Sequence, residues 1–94
     1  MTESQLQTRI TKGLKDRGWL VNKPVTNSVN GLPDLHCYSP EGVTVFIEVK
    51  RAGEEPRPLQ MYWIEKLKSM NFPVYVISTI KEMKGFFNEI DEKK

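Results

Sequence analysis

The feature that most constrains this sequence is a segment of alternating apolar and polar residues, 43–50, that ends in an acid and a lysine. Alternate side chains of a β-strand project from opposite faces, so the valines and the isoleucine of this segment share one face. Glu48 and Lys50 then project side by side from the other face, at the end of the strand. Because an apolar strand has no folding reason to end in that pair, we interpret it as part of a functional site.

The composition limits the class of protein. The chain has 94 residues, of which 38% are hydrophobic, so we expect residues 1–94 to form one domain with one core. Its formal charge of +2 is only weak evidence for a nucleic-acid partner. The single cysteine, Cys37, excludes an intrachain disulfide and a thiolate zinc cluster. The N-terminus is polar and no apolar run is long enough for a bilayer, so we expect a complete cytoplasmic protein with no membrane partner.

Helical and alternating patterns predict an α/β fold, a mixed sheet flanked by helices in the order α-β-β-β-α-β-α. Thr2 and Gln5 form a capping box that opens the first helix, and Pro58 suits the first turn of the second. We expect that second helix to bury an apolar stripe: Leu59, Trp63, Leu67 and Met70. The predicted bounds are helices at 2–17, from 58 onward and at 80–90, strands at 19–21, 34–38, 43–49 and 74–78, and polar loops at 25–31 and 51–57.

The pairing of the second and third strands can be predicted from the apolar pattern. A four-residue loop would set Asp34 opposite Ile47 on the apolar face, where an unpaired charge is costly. A shift by one residue pairs Tyr38 with Thr44 and sets Asp34 opposite Glu48, with Cβ atoms about 5 Å apart. The same shift collects the apolar side chains on one face: Leu35, Cys37, Val43, Val45 and Ile47.

Two carboxylates directly opposite each other on a sheet repel, so a shared proton, a lysine or a metal must neutralise Asp34 and Glu48. Two carboxylates with water and phosphate oxygens are a typical ligand set for Mg²⁺. Lys50 would lie at the edge of that pocket, where it could orient a water or balance charge on a phosphate. The alternative is an ordinary turn at Asp34 and an exposed charge pair between Glu48 and Lys50.

Three further polar residues have both a functional and an ordinary interpretation. Glu3 shares the apolar face of the first helix and is either a third acid of the site or a favourable partner of the helix dipole. Gln60, in the first turn of the second helix, either reaches the pocket or is solvated. His36 is the only histidine, so no zinc site can be built around it, and surface or packing roles are favoured over flanking the pocket.

Asp34 with Glu48-Val49-Lys50 resembles the PD-(D/E)xK nuclease superfamily. A fuller set of segments, in the same order and spacing, resembles the narrower VRR-NUC family, the virus-type replication-repair nucleases. The match extends over nearly the whole chain, and the segments that carry it are: Glu3–Gln5, Gly31–Asp34, Phe46–Lys50, Pro58–Gln60 and Val74–Ile77.

The resemblance implies a restriction-endonuclease-like fold and hydrolysis of DNA phosphodiester bonds that depends on Mg²⁺, with Mn²⁺ able to substitute. The residues it implies are metal ligands at Asp34, Glu48 and the carbonyl of Val49, a catalytic lysine at Lys50, a supporting Gln60 and a matching helix glutamate at Glu3. Small stand-alone members of the family occur in phages and bacteria. They are associated with homodimers that act on branched DNA, Holliday junctions in particular.

We therefore predict a metal-dependent endodeoxyribonuclease, a homodimer with one site for each of two cuts at a four-way junction. The alternatives are a monomeric flap or nicking nuclease, a DNA-binding module without cleavage, and a small structural domain with a chance acid cluster. We expect the dimer patch to include Tyr62 and Phe86 or Phe87. The two polar loops should rim the pocket and contact phosphates, through Lys23, Asn27, Asn30, Arg51 and Arg57.

Overall fold

A computed structural model describes residues 1–25 and 28–93 of the chain. The order is the predicted α-β-β-β-α-β-α, and no helix among the described residues is long and apolar enough to cross a membrane. The elements are α1 (Glu3–Asp16), β1 (Leu20–Asn22), β2 (Leu35–Tyr38), β3 (Thr44–Val49), α2 (Pro58–Ser69), β4 (Val74–Ile77) and α3 (Ile80–Glu92).

The first helix begins where its capping residues predict. The side chain of Thr2 accepts a hydrogen bond from the backbone N–H of Gln5, and the side chain of Gln5 accepts one from the N–H of Thr2. The buried face of α1 consists of Leu6, Ile10 and Leu14. Their helical spacing forms one apolar stripe, so α1 is held on the sheet by this face.

The four strands form one mixed sheet in the order β1-β2-β3-β4. The first three strands are antiparallel neighbours, and β4 lies parallel to β3 at one edge. The larger core joins α1, α3 and one face of the sheet, and a smaller cluster joins α2 to the other face. The sheet is therefore the middle of three layers.

The predicted register between β2 and β3 is confirmed. Tyr38 pairs with Thr44 and Leu35 pairs with Ile47. One residue further along, the same register sets Asp34 opposite Glu48. Most of the apolar set occupies the core face as expected, and only Val43, before β3, is about half exposed.

The predicted apolar stripe of α2 is largely wrong. Leu59 and Met70 are 51% and 53% exposed. The buried residues of α2 are instead Gln60, Ile64 and Leu67, which follow helical spacing from Gln60. The sequence pattern points to the wrong face because a polar residue occupies the first buried position and apolar residues remain outside.

The aromatic residues of α3 pack inside the protein. Phe86 is 3% exposed and belongs to the larger core, so its predicted place on a dimer patch is wrong. Phe87 lies between Phe86 and the guanidinium of Arg17, whose Cζ is 4.3 Å from the Phe87 ring centroid. Gly13 of α1 comes close to the same ring, so the contact between Gly13 and Phe87 fixes how α1 and α3 pack.

Candidate active site

The turn before β2 is fixed against the start of α2. Gly31 has a φ of 91°, a left-handed conformation that favours glycine. A Cβ at this position would lie 2.8 Å from the Cγ of Leu59 and 3.1 Å from its carbonyl oxygen. Pro33 is fully buried. These contacts hold Asp34 in place at the entrance to β2.

Asp34 is joined directly to the end of β3. Its Oδ2 accepts a hydrogen bond from the backbone N–H of Val49, with 2.9 Å between the two atoms. The N–H and C=O of one residue in a strand point to the same side, so the carbonyl of Val49 also faces the Asp34 side. The side chain of Glu48, opposite Asp34 in the register, completes an acid pair at one edge of the sheet.

Glu48 is the most unusual side chain of the site. It is 1% exposed, and neither of its carboxylate oxygens has a hydrogen-bond partner among the described residues. Burial raises the pKa of Glu48 to about 7, and the nearby charge of Asp34 adds to this, while Lys50 acts in the opposite direction. A buried acid without hydrogen bonds is costly in a fold, so its retention indicates a ligand or a chemical role.

Lys50 is almost as deeply buried as Glu48. Its Nζ lies 3.5 Å from Oε2 of Glu48, with the lysine side chain 11% exposed. The backbone N–H of Lys50 donates to the carbonyl of Ile77, which joins the end of β3 to β4. The ammonium therefore has a defined position beside the acid pair.

The chemistry of these residues fits a divalent cation. No group of three or more His, Cys, Asp and Glu side chains within residues 1–25 and 28–93 could hold a metal by itself. Mg²⁺ is usually bound by one or two carboxylates together with water and substrate phosphates, so the pair of Asp34 and Glu48 is sufficient. The observation that favours such a ligand is the carboxylate of Glu48, which accepts no hydrogen bond from the described residues and has Lys50 as an ion-pair partner at 3.5 Å.

Gln60 is buried rather than solvated. It is 9% exposed, and its Oε1 accepts a hydrogen bond from the backbone N–H of Arg57 across 2.8 Å. The side chain thus caps the first turn of α2 on the side that faces the sheet. Gln60 follows Leu59, which contacts Gly31, so this helix start is fixed against the segment that leads to Asp34.

Glu3 lies on the same cleft as Lys50. The cleft has a volume of about 200 Å³ and also includes Arg51 and the start of α3 at Ser78 and Thr79. Glu3 itself is partly exposed in the first turn of α1. Glu3 and Lys50 therefore line one cleft, but the described residues form no cluster of three acids that could hold a metal, and the role of Glu3 as a third acid stays a prediction.

Sequence reasoning missed Ser78 and Thr79 as residues of this cleft. Thr79 is the N-cap of α3, and its hydroxyl accepts from the N–H of Glu82. Glu82 in turn accepts from both the N–H and the hydroxyl of Ser78. This capping pattern is visible in the sequence and predicts the helix start, but only the parallel pairing of β4 brings it beside Lys50.

The basic residues of the two loops are divided between two places. Arg51 lines the cleft of Lys50 and pairs with Glu54. Lys23 lines a separate groove between α1 and β1. The remaining predicted contacts are Arg57, which is the exposed N-cap residue of α2, Asn30, which is exposed before Gly31, and Asn27, which lies outside the described residues.

His36 lies on β2, two residues after Asp34, and is paired with Phe46 of β3. Its ring packs edge-to-face on Phe46 with 5.1 Å between centroids, and its Nε2 is buried without a partner among the described residues. Burial lowers the pKa of His36, and a hydrogen bond with the backbone of Pro33 partly offsets this. The predicted packing role matches these contacts.

Comparison with known proteins gives a consistent result. The model of the VRR-NUC domain family matches residues 2–79. A solved structure described as a VRR_NUC domain superposes with a TM-score of 0.86 at 28% sequence identity, covering 92% of this chain and 94% of that chain. The relative p44 of Acyrthosiphon pisum secondary endosymbiont phage 1, described as a candidate nuclease, is 26% identical over 77 residues, 82% of this chain and 83% of that protein.

The fold and these relatives define the class of protein as a nuclease. The chain belongs to the VRR-NUC family, whose model covers most of its length.

Proposed function

We propose that the chain, acting as one nuclease domain over residues 1–94, is a metal-dependent endonuclease that hydrolyses phosphodiester bonds in DNA. The observation that carries this proposal is the buried carboxylate of Glu48, whose oxygens lack hydrogen-bond partners among the described residues. Its neighbours are a second acid, Asp34, and the ammonium of Lys50. A structural domain without chemistry gains nothing from burying such a group.

The metal is expected to be held by Asp34, Glu48 and the carbonyl of Val49, with Mg²⁺ as the usual ion and Mn²⁺ as a substitute. When bound, such an ion neutralises phosphate charge and lowers the pKa of water. The hydrogen bond from the N–H of Val49 orients the carboxylate of Asp34 toward this position. The charge of Lys50 keeps Glu48 closer to its ionised form, the form that binds a cation.

Hydrolysis forms a bond between a water oxygen and phosphorus, breaks the bond to the 3′ oxygen and leaves a proton on that oxygen. Lys50 is placed to orient the water or to balance the negative charge that develops on the phosphate. Gln60 supports this arrangement by fixing the start of α2 against the turn before Asp34. Glu3 approaches the same cleft from α1 and is the candidate for contact with a water.

The proposed substrate is branched DNA, four-way junctions in particular, cut by a homodimer. A chain of 94 residues offers one such site, and two symmetric cuts need two sites at a fixed separation. With Phe86 in the core, the candidate patch is the exposed side of α2, where three apolar side chains lie in solvent: Leu59, Met61 and Tyr62.

A panel of four-way, flapped and linear DNA substrates tests this function. The dimeric protein should cut the four-way junction at paired positions when Mg²⁺ is present, and Asp34→Ala should cut none of the substrates. Sedimentation velocity on the same samples gives the oligomeric state. If the protein is a monomer that cuts flaps or nicks duplexes, the hypothesis of a junction-cutting dimer is wrong. If it binds DNA without cleaving it, the protein is a DNA-binding module instead.

A further inference from the structure

The positive charge of the chain is concentrated on one segment. Residues 4–23 carry five basic side chains and one acidic side chain, whereas the whole chain has 14 basic and 12 acidic residues. The rest of the chain is therefore net acidic. Arg17 is the exception within this segment, because its charge is used in a two-pronged pair with Asp91 of α3.

Three of the remaining basic side chains line a groove between α1 and β1: Lys12, Lys15 and Lys23. This groove has a volume of about 540 Å³. Lys12 in it pairs with Asp16, while Lys15 and Lys23 have no ion-pair partner among the residues that the structure describes. The other lining side chains include neutral hydrogen-bonding groups: Gln7, Thr8 and Thr11.

This groove and the cleft that holds Lys50 are linked through shared lining residues. Met1 lines that cleft and also a neighbouring cleft of about 570 Å³, which includes Thr8 and Arg9. Thr8 in turn lines the groove of Lys15. Three clefts therefore follow one another along α1, from the cleft of Lys50 to the groove of Lys15.

We propose that this surface, the α1 track of Thr8, Arg9, Lys12, Lys15 and Lys23, binds the phosphate backbone of one arm of the DNA substrate. The inference rests on the proposed function, since it assumes that the scissile phosphate enters beside Lys50. From Thr8 to Lys15 the helix rises about 10 Å. Phosphates of one strand follow each other at about 3.4 Å along the duplex axis, so the helical part of the α1 track spans about three of them.

Charge and side-chain type favour a phosphate backbone over a protein partner. Arg9, Lys12 and Lys15 of the α1 track are spaced along the helix beside threonine hydroxyl groups, and Lys23 follows β1. Cations and hydroxyl groups are the groups that contact phosphates without reading sequence. A protein interface of this size would be expected to bury apolar or aromatic residues near its centre. The track would position the DNA arm, and the acid site would determine which phosphodiester bond is cleaved.

The test compares two triple variants that lose the same charge. Lys12→Ala, Lys15→Ala, Lys23→Ala removes three cations of the α1 track, and Lys66→Ala, Lys68→Ala, Lys84→Ala removes three exposed cations of α2 and α3. Binding of a fluorescent duplex is measured by anisotropy across a salt series in EDTA, where no cleavage interferes. Thermal melts check that both variants remain folded.

The α1 track variant should lower the log–log salt slope by about 2.7, and the matched control should leave it unchanged. Equal salt slopes in the wild type and the track variant would overturn the proposal. So would an equal decrease of the salt slope in the two triple variants. Cleavage by the wild-type protein is scored separately. If it cuts DNA while the track variant keeps its slope, only the track fails; if the slope falls but no cleavage occurs, only the enzymatic function fails.

Discussion

The backbone N–H of Val49 donates a hydrogen bond to Oδ2 of Asp34, with 2.9 Å between the atoms. This bond connects the residue before β2 to the last residue of β3, and it brings the two acids of the site onto one edge of the sheet. It uses one oxygen of Asp34 for structure and leaves Oδ1 outside the bond. Substitution can therefore separate this structural role of Asp34 from the metal-binding role that we propose for it.

Asp34→Asn should separate the metal-binding role from the structural one. The amide oxygen can still accept from Val49, so the free energy of unfolding should change little, while the loss of charge should abolish cleavage and weaken Mn²⁺ binding in calorimetry. Asp34→Ala should lose the hydrogen bond as well, at a cost of about 1 kcal/mol that is partly offset by relief of repulsion with Glu48. Full activity in Asp34→Asn would exclude the metal assignment.

Lys50→Ala should lose cleavage by about 100-fold or more and still bind metal, because an ammonium is not a ligand. Since Lys50 lowers the pKa of Glu48, its removal raises that pKa further, and metal binding should be measured well above pH 7. Lys84→Ala, an exposed lysine of α3, is the control for loss of charge. A loss of metal affinity as large as that of Asp34→Asn would show that Lys50 acts on the metal site itself.

Burial of Glu48 predicts how stability depends on pH without metal. The pKa of Glu48 is raised from 4.5 to about 7, so between these values the folded state holds a proton that the unfolded state has released. The free energy of unfolding should therefore fall as pH rises from 4.5 to 7, by about 3 kcal/mol from this group, and stay level above pH 7.

Glu48→Gln isolates this contribution, because the amide has the same shape and does not titrate. Urea denaturation in EDTA at several pH values gives the free energy of unfolding of both proteins. The wild-type value minus the variant value should fall between pH 4.5 and 7. Other carboxyl groups, such as Glu82 with its lowered pKa, act in both proteins and cancel in the difference. Parallel curves for the two proteins would mean that Glu48 titrates normally.

Gly31→Ala should destabilise the fold and reduce cleavage, because it forces a left-handed residue to carry a Cβ and brings that Cβ against Leu59. We expect a cost of about 2 kcal/mol. Gly53→Ala is a matched control: it has a φ of 86° and no atom within 4 Å of an added Cβ. Urea denaturation measures the loss of unfolding free energy in each variant, and the amount by which Gly31→Ala exceeds Gly53→Ala is the contribution of the contact with α2. Equal losses in the two variants would mean that this contact contributes nothing.

The part of the site that depends on strand alternation could be predicted from the sequence. Of the two registers compared, which differ by one residue, a period of two leaves only the one that keeps Leu35 on the apolar face, and that register sets Asp34 opposite Glu48. The capping box at Thr2 and Gln5 likewise depends on residues close in sequence. Both predictions succeed because the deciding contacts are local or follow from a strict period.

Predictions that depend on packing between distant elements fail. The stripe of α2 is misplaced because Gln60 is buried while Leu59 stays outside, a choice set by the packing of α2 on the sheet. Ser78 and Thr79 come to the cleft of Lys50 only through the parallel pairing of β4 with β3. No pattern within one segment contains that information.

The most direct test of the central claim is cleavage of a four-way DNA junction by the wild-type protein in Mg²⁺ and in EDTA, beside Asp34→Asn and Lys50→Ala in Mg²⁺. Our account predicts cleaved product only for the wild-type protein with Mg²⁺. Equal cleavage in EDTA, or wild-type rates in either variant, would contradict a metal-dependent nuclease built on Asp34, Glu48 and Lys50.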